Sequence, residues 1–92
     1  MIPISKPSIG AEELNAIKPI FNSGWLGMGE ATENFEEKIE SYIGAKHVIA
    51  TNTGTSSIHL AMDTYGIKEG DEVIVPSITY AASIQAIIFT GA

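Results

Sequence analysis

The run His47-Val48-Ile49-Ala50-Thr51-Asn52-Thr53-Gly54-Thr55-Ser56-Ser57-Ile58-His59-Leu60-Ala61-Met62-Asp63-Thr64-Tyr65-Gly66 decides the fold class, together with Gly70-Asp71-Glu72-Val73-Ile74-Val75-Pro76-Ser77 after it. Val48-Ile49-Ala50 reads as a short buried strand, and Asn52 to Ser57 as a polar turn around one glycine. Ile58 to Tyr65 reads as a helix stopped by Gly66. Gly70-Asp71 makes a turn, Glu72 to Val75 a second buried strand, and Pro76-Ser77 ends it. A last helix is expected from Thr79 or Tyr80. The order β-α-β-α belongs to an α/β protein with a parallel sheet covered by helices, and such crossovers are right-handed.

Working toward the N-terminus, Thr32 to Ile43 predicts an amphipathic helix. Ala31, Phe35, Ile39, Tyr42 and Ile43 form its apolar stripe, and Gly44 is its stop. Glu33, Glu36, Glu37, Lys38 and Glu40 lie mostly opposite and read as a solvated face. No His stands at ligand spacing beside them, so no metal site is expected. An earlier helix from Ala11 to about Phe21 is predicted by Leu14, Ile17 and Phe21 on one face, with Glu12 and Glu13 at its positive end. Pro19 should kink or end it. The opening residues, with Pro3 and Pro7, should be extended. Between the two helices, Asn22 to Gly29 holds three glycines around the only tryptophan. Glycines at such density mean tight turns or close backbone approach, and Trp25 is either a packing anchor or the wall of a binding site. Residues 1–29 (extended segment, helix and Gly-Trp loop) are thus expected to precede the start of the larger domain in residues 30–92.

Composition narrows the function. With 45% hydrophobic and 17% charged residues in 92, the chain is globular in composition. Eleven acids against five lysines and no arginine give a net charge of −6, which argues against nucleic acid as the partner. The absence of cysteine excludes disulfides, thiolate metal sites and cysteine nucleophiles. The start lacks the apolar core of a signal peptide. The most apolar stretch, Ala81 to Ala92, is broken by Ser83, Gln85 and Thr90 and falls short of the ~20 residues that a membrane span needs. A cytoplasmic protein without a membrane partner is expected. The apolar finish at Ala92 predicts a chain cut within a domain, the alternative being a terminal helix docked on a partner subunit. No internal repeat or low-complexity segment is present.

The strand–turn–helix at Thr53 to Ser57 carries the chemistry. The first N–H groups of a helix have no partner in the chain, and the helix dipole adds positive potential there. Gly54 lets the backbone come close, and the hydroxyls of Thr55, Ser56 and Ser57 add donors, so the turn suits a phosphate. No Lys follows the glycine as in a Walker A loop, and G-x-G-x-x-G is absent. The turn reads equally as a helix cap by Thr55 or Ser56, and both readings stay open. Tyr80 follows the second strand. Ligands of parallel α/β sheets sit outside the carboxyl ends of strands, so a flat ring at Tyr80 and a phosphate seat at Thr55 would face one crevice. That pairing suits a planar phosphorylated cofactor.

Ser23-Gly24-Trp25-Leu26, Phe35-Glu36-Glu37-Lys38, Gly44-Ala45-Lys46-His47, Thr53 to Ala61 and Gly70 to Pro76 follow one another in a known order. That succession resembles the N-terminal part of the sugar-nucleotide aminotransferases of the DegT–StrS type. These are pyridoxal-phosphate enzymes of aspartate-aminotransferase fold, and GDP-perosamine synthases and aminoarabinose-forming enzymes belong to them. The resemblance implies the N-terminal part of a fold-type-I large domain. It also implies pyridoxal 5'-phosphate as cofactor, a keto-sugar nucleotide and glutamate as substrates, and a homodimer for the full-length enzyme. By the same resemblance Gly54, Thr55 and Ser56 seat the cofactor phosphate, Thr55 with side-chain and backbone donors and Ser56 with its backbone N–H. Tyr80 stacks on the pyridine ring, and Trp25 and Leu26 lie near the substrate entrance. His59 is left a structural residue.

No catalytic residue is assigned. The family's Schiff-base lysine, in a Ser-His-x-Lys setting, and the acid against the pyridine nitrogen lie further along than Ala92. Lys6, Lys18, Lys38, Lys46 and Lys68 stand in other contexts. The 92 residues alone are expected to be inactive. Two alternatives remain. One is a dehydratase of the same family, with histidine in place of the lysine. The other is a short non-catalytic phosphate-binding module that pairs with a full-length subunit.

Overall fold

The computed structural model describes residues 4–92, which hold α1 (Ala11–Ser23), α2 (Glu30–Ile43), α3 (Gly54–Thr64) and α4 (Ala81–Thr90). The residues group into two compact units, the first ending at Phe35 and the second running Glu36–Ala92. Residues 5–10 form no regular element. Pro3, part of the extended start expected from the sequence, lies outside the described residues.

At the start of α1 the Glu13 carboxylate accepts the Gly10 N–H at 2.6 Å. This bond holds the Glu13 carboxyl below its ordinary value of 4.5. A carboxylate with a depressed folded value stabilises fully above its unfolded value and loses that contribution as pH falls through the folded one. Amide exchange should therefore show the first turn of α1 opening below about pH 4.5, and Glu13→Gln should remove that dependence. The helix, expected to about Phe21 and to be kinked or ended at Pro19, runs through Pro19 to Ser23, so the proline does not end it. Proline costs one backbone bond, and the turn beyond it is supported by the Ser23 hydroxyl, which donates to the Ile20 carbonyl at 2.7 Å. Gly24, at φ 71, ends the helix.

The expected strands are the main correction. Neither 48–50 nor 72–75 forms a ladder among the described residues, although each separates helices as the pattern requires. A parallel ladder needs a neighbouring strand, and these two segments do not pair with each other. Instead, the N–H groups of Val48 and Ala50 donate to α2, to Glu40 Oε1 at 3.0 Å and Glu36 Oε1 at 2.7 Å. The spacing explains the fit. Four residues of helix rise about 6 Å, and two residues of extended chain advance about 6.6 Å. The two glutamates are half-buried, so their part of the expected solvated face is bonded to backbone.

The third helix starts four residues before Ile58, because Thr53 rather than Thr55 or Ser56 is its cap: Thr53 Oγ1 accepts the Ser56 N–H at 3.0 Å. At its far end, Ile67 N–H reaches the Met62 carbonyl and Gly66 N–H that of Asp63, a Schellman closure with Gly66 at φ 75. α3 packs against α4. Small residues make the close approach, and Ala86 (0% exposed) and Ala82 (8%) are the buried residues of the described chain. Ile74, Ile78, Ile88 and Phe89 are exposed. No described helix is long and apolar enough to cross a membrane.

Candidate functional site

The site builds up from the cap of α3. Thr53 is extended (φ −152, ψ 155) and turns the chain into the helix. Its carbonyl accepts the Ser57 N–H at 3.1 Å, and its hydroxyl the Ser56 N–H. The Ser56 hydroxyl donates to Asn52 Oδ1 at 2.9 Å, and the hydroxyls of Thr51 and Ser57 pair with each other. The N–H groups of Gly54 and Thr55 keep no carbonyl partner, as the first turn of a helix dictates, and the Thr55 hydroxyl has no bond within the described chain. A Cβ built on Gly54 would meet nothing within 4 Å, so no other part of the described chain crowds that face of the glycine. No acid sits in the first turn to offset its positive end. This donor set fits a phosphate. The Ser56 N–H is already engaged and reaches an anion only if the Thr53 hydroxyl turns away.

Tyr80 is the residue before α4 (φ −68, ψ 142); its hydroxyl makes no cap bond, and the residue is 83% exposed. Two contacts bear on the helix pair. The rings of His59 and Phe89 lie 5.5 Å apart, and a Cβ on Gly91 would stand 3.7 Å from the Glu69 nitrogen. One contact is between the two helices and the other joins the segments that follow them, so α3 and α4 pack together and their C-terminal connections approach each other. Gly54, Thr55 and Ser56 open α3, and Tyr80 stands just before α4. His59 also approaches Asp63 at 3.5 Å. Trp25 and Leu26, in the first unit, are 65% and 71% exposed. The Trp25 indole N–H donates to the Met28 carbonyl at 2.8 Å.

The profile of the DegT/DnrJ/EryC1/StrS aminotransferase family matches residues 7–92. The chain belongs to this family. Within the DegT/DnrJ/EryC1/StrS family it is 40% identical over 91 residues to the spore coat polysaccharide biosynthesis protein SpsC of Bacillus subtilis (strain 168), covering 99% of this chain and 23% of SpsC. The crystal structure of an aminotransferase, TlmJ from Streptoalloteichus hindustanus, superposes with a TM-score of 0.89 at 36% identity. That match covers 99% of this chain and 25% of TlmJ. The chain therefore spans about a quarter of the length of these family members, and it shares the fold of the matching part of an aminotransferase.

Two features of this family member escape a reading of its sequence. Thr53 is one of five Thr and Ser residues between 51 and 57, all of them good caps by residue type, and its extended backbone is what marks it as the cap. Glu36 and Glu40 look like any charged helix face. Their signal is the four-residue spacing opposite a short extended run.

Proposed function

We propose that this chain forms the phosphate- and ring-binding part of a pyridoxal-phosphate aminotransferase that transfers an amino group from glutamate to a keto-sugar nucleotide. The observation that carries the reading is the donor set of Gly54 and Thr55, without a partner in the described chain, at the start of a helix that has no acid in its first turn; the exposed Tyr80 just before α4 supports it. Bound pyridoxal phosphate supplies an electron sink for amino transfer. The chain's own part is to bind and orient. Gly54 and Thr55 donate N–H groups to the phosphate, the Thr55 hydroxyl adds a third donor, and the helix dipole favours the dianion. Tyr80 offers its ring face to the pyridine, and Trp25 and Leu26 lie near the substrate entrance. The relative named for spore coat polysaccharide biosynthesis supports a role in making an amino sugar for a cell-surface polysaccharide.

The lysine and the acid of the reaction belong to residues beyond these 92, so the chain alone is inactive. The full-length enzyme is a cytoplasmic homodimer in this reading. The remainder of that enzyme covers Ile74, Ile78, Ile88 and Phe89.

Titrating the full-length enzyme with pyridoxal phosphate tests the proposal. A visible absorption band and glutamate-dependent release of 2-oxoglutarate with a keto-sugar nucleotide are expected. A folded full-length enzyme that develops no band at saturating cofactor overturns it.

A further inference from the structure

The loop between α1 and α2 is held by its own tryptophan. Gly24 is there for its backbone, at φ 71, whereas Gly27 and Gly29 do not have positive φ. At Gly29 it is the indole that leaves little room for a side chain, whereas at Gly27 a Cβ would make ordinary contact with the ring. A Cβ on Gly29 would stand 3.2 Å from Trp25 Cδ1 and Nε1, and one on Gly27 3.5 Å from Cε2 and Cζ2. The ring rests against both, and its only polar atom donates to the Met28 carbonyl. The Trp25 backbone N–H donates to Ser23 Oγ at 3.2 Å, tying the other side of the loop to the last turn of α1. The indole also walls a cavity of about 350 Å³ with Pro19 and Ile20 of α1 and Glu30 and Ala31 of α2.

We propose that Trp25 is a positioning residue: its indole latches residues 24–29 and so fixes Leu26 at the substrate entrance, without itself contacting substrate. This inference rests on the reading that the loop lies at that entrance. The ring's N–H is spent on Met28 and part of its surface lies against Gly27 and Gly29; Trp25 and Leu26 are similarly exposed, but the Leu26 side chain has no polar atom with which to hold the loop.

The test uses the full-length enzyme. Phenylalanine keeps an aromatic face but has no N–H, so Trp25→Phe should raise KM for the sugar nucleotide roughly five- to tenfold, the worth of one hydrogen bond. Trp25→Ala should do at least as much, and kcat and the visible cofactor band should stay unchanged in both. Gly29→Ala should push the indole off its seat. Because Trp25 is the only tryptophan of this segment, a full-length enzyme with any other tryptophan replaced by phenylalanine reports the displacement as a red-shifted emission and stronger acrylamide quenching. In the Trp25→Ala background, Gly29→Ala should add nothing to KM.

A wild-type KM in Trp25→Phe alongside a raised KM in Trp25→Ala overturns the proposal, since the ring face would then be what matters. Unchanged emission in Gly29→Ala also overturns it. A shifted emission with KM unchanged in Leu26→Ala, Trp25→Phe and Trp25→Ala upholds the latch and overturns the entrance reading instead.

Discussion

Thr55→Asp is expected to strengthen α3 and, in the full-length enzyme, to weaken pyridoxal phosphate binding by about a hundredfold. The two effects have one cause. A carboxylate in the first turn of a helix interacts favourably with its positive end, worth ~0.3–1 kcal/mol, and α3 has no acid there. The same charge occupies the place of a dianionic phosphate and removes the Thr55 hydroxyl donor. Loss of a hydrogen bond to a charged group costs ~1.5–3 kcal/mol, and like-charge repulsion adds to it, which gives about two decades in affinity. Thermal unfolding of the cofactor-free enzyme and a titration followed by visible absorbance read the two signs separately. Unchanged cofactor affinity would remove Thr55 from the phosphate seat, and lowered stability without cofactor would show that the first turn of α3 had been misjudged.

Glu36→Ala should destabilise the protein by ~1–3 kcal/mol, the cost of leaving a partly buried donor unpaired. The Ala50 N–H donates to Glu36 at 2.7 Å, and no other acceptor stands in its place. Glu36→Gln keeps an oxygen in reach and should recover most of the loss. Glu37→Ala, one residue along on an exposed part of the same helix, should be close to neutral. Chemical denaturation of the full-length variants measures all three. Equal losses for Glu36→Ala and Glu37→Ala would mean that the bond to Ala50 contributes nothing beyond helix propensity.

The helices were legible in the sequence wherever the deciding interaction is local. The stripe of Phe35, Ile39, Tyr42 and Ile43 predicts α2 and Gly44 its end, and both are set by neighbours three or four residues away. The start of α3 was misplaced because several hydroxyls compete for one cap, and only the extended backbone of Thr53 identifies the winner. The alternation of extended and helical segments could be read from Val48 to Val75, but a ladder depends on residues far off in sequence, and composition says nothing about which edge meets which. The pairing of Glu36 and Glu40 with backbone was invisible for a related reason, since a bonded carboxylate and a solvated one are the same letter. In the Gly-Trp loop, periodicity could not separate Gly24, which turns the chain, from Gly29, which makes room for a ring. The unpaired donors of Gly54 and Thr55 follow from helix geometry once these residues are placed at the start of α3, and the phosphate proposed for them rests on that geometry.

The carboxylate rungs on Val48 and Ala50 also bear on the order in which the molecule assembles. They join residues only 8 and 14 apart in sequence, so the entropy lost in closing them is that of short loops. A strand whose direction is set only by its sheet must wait for distant chain to arrive, and such non-local pairing is slow. Here the second half of α2 can orient residues 48–50, and with them the approach to Thr53, as soon as this stretch has left the ribosome. The cap of α3 is then aimed by nearby chain rather than by residues far off in sequence.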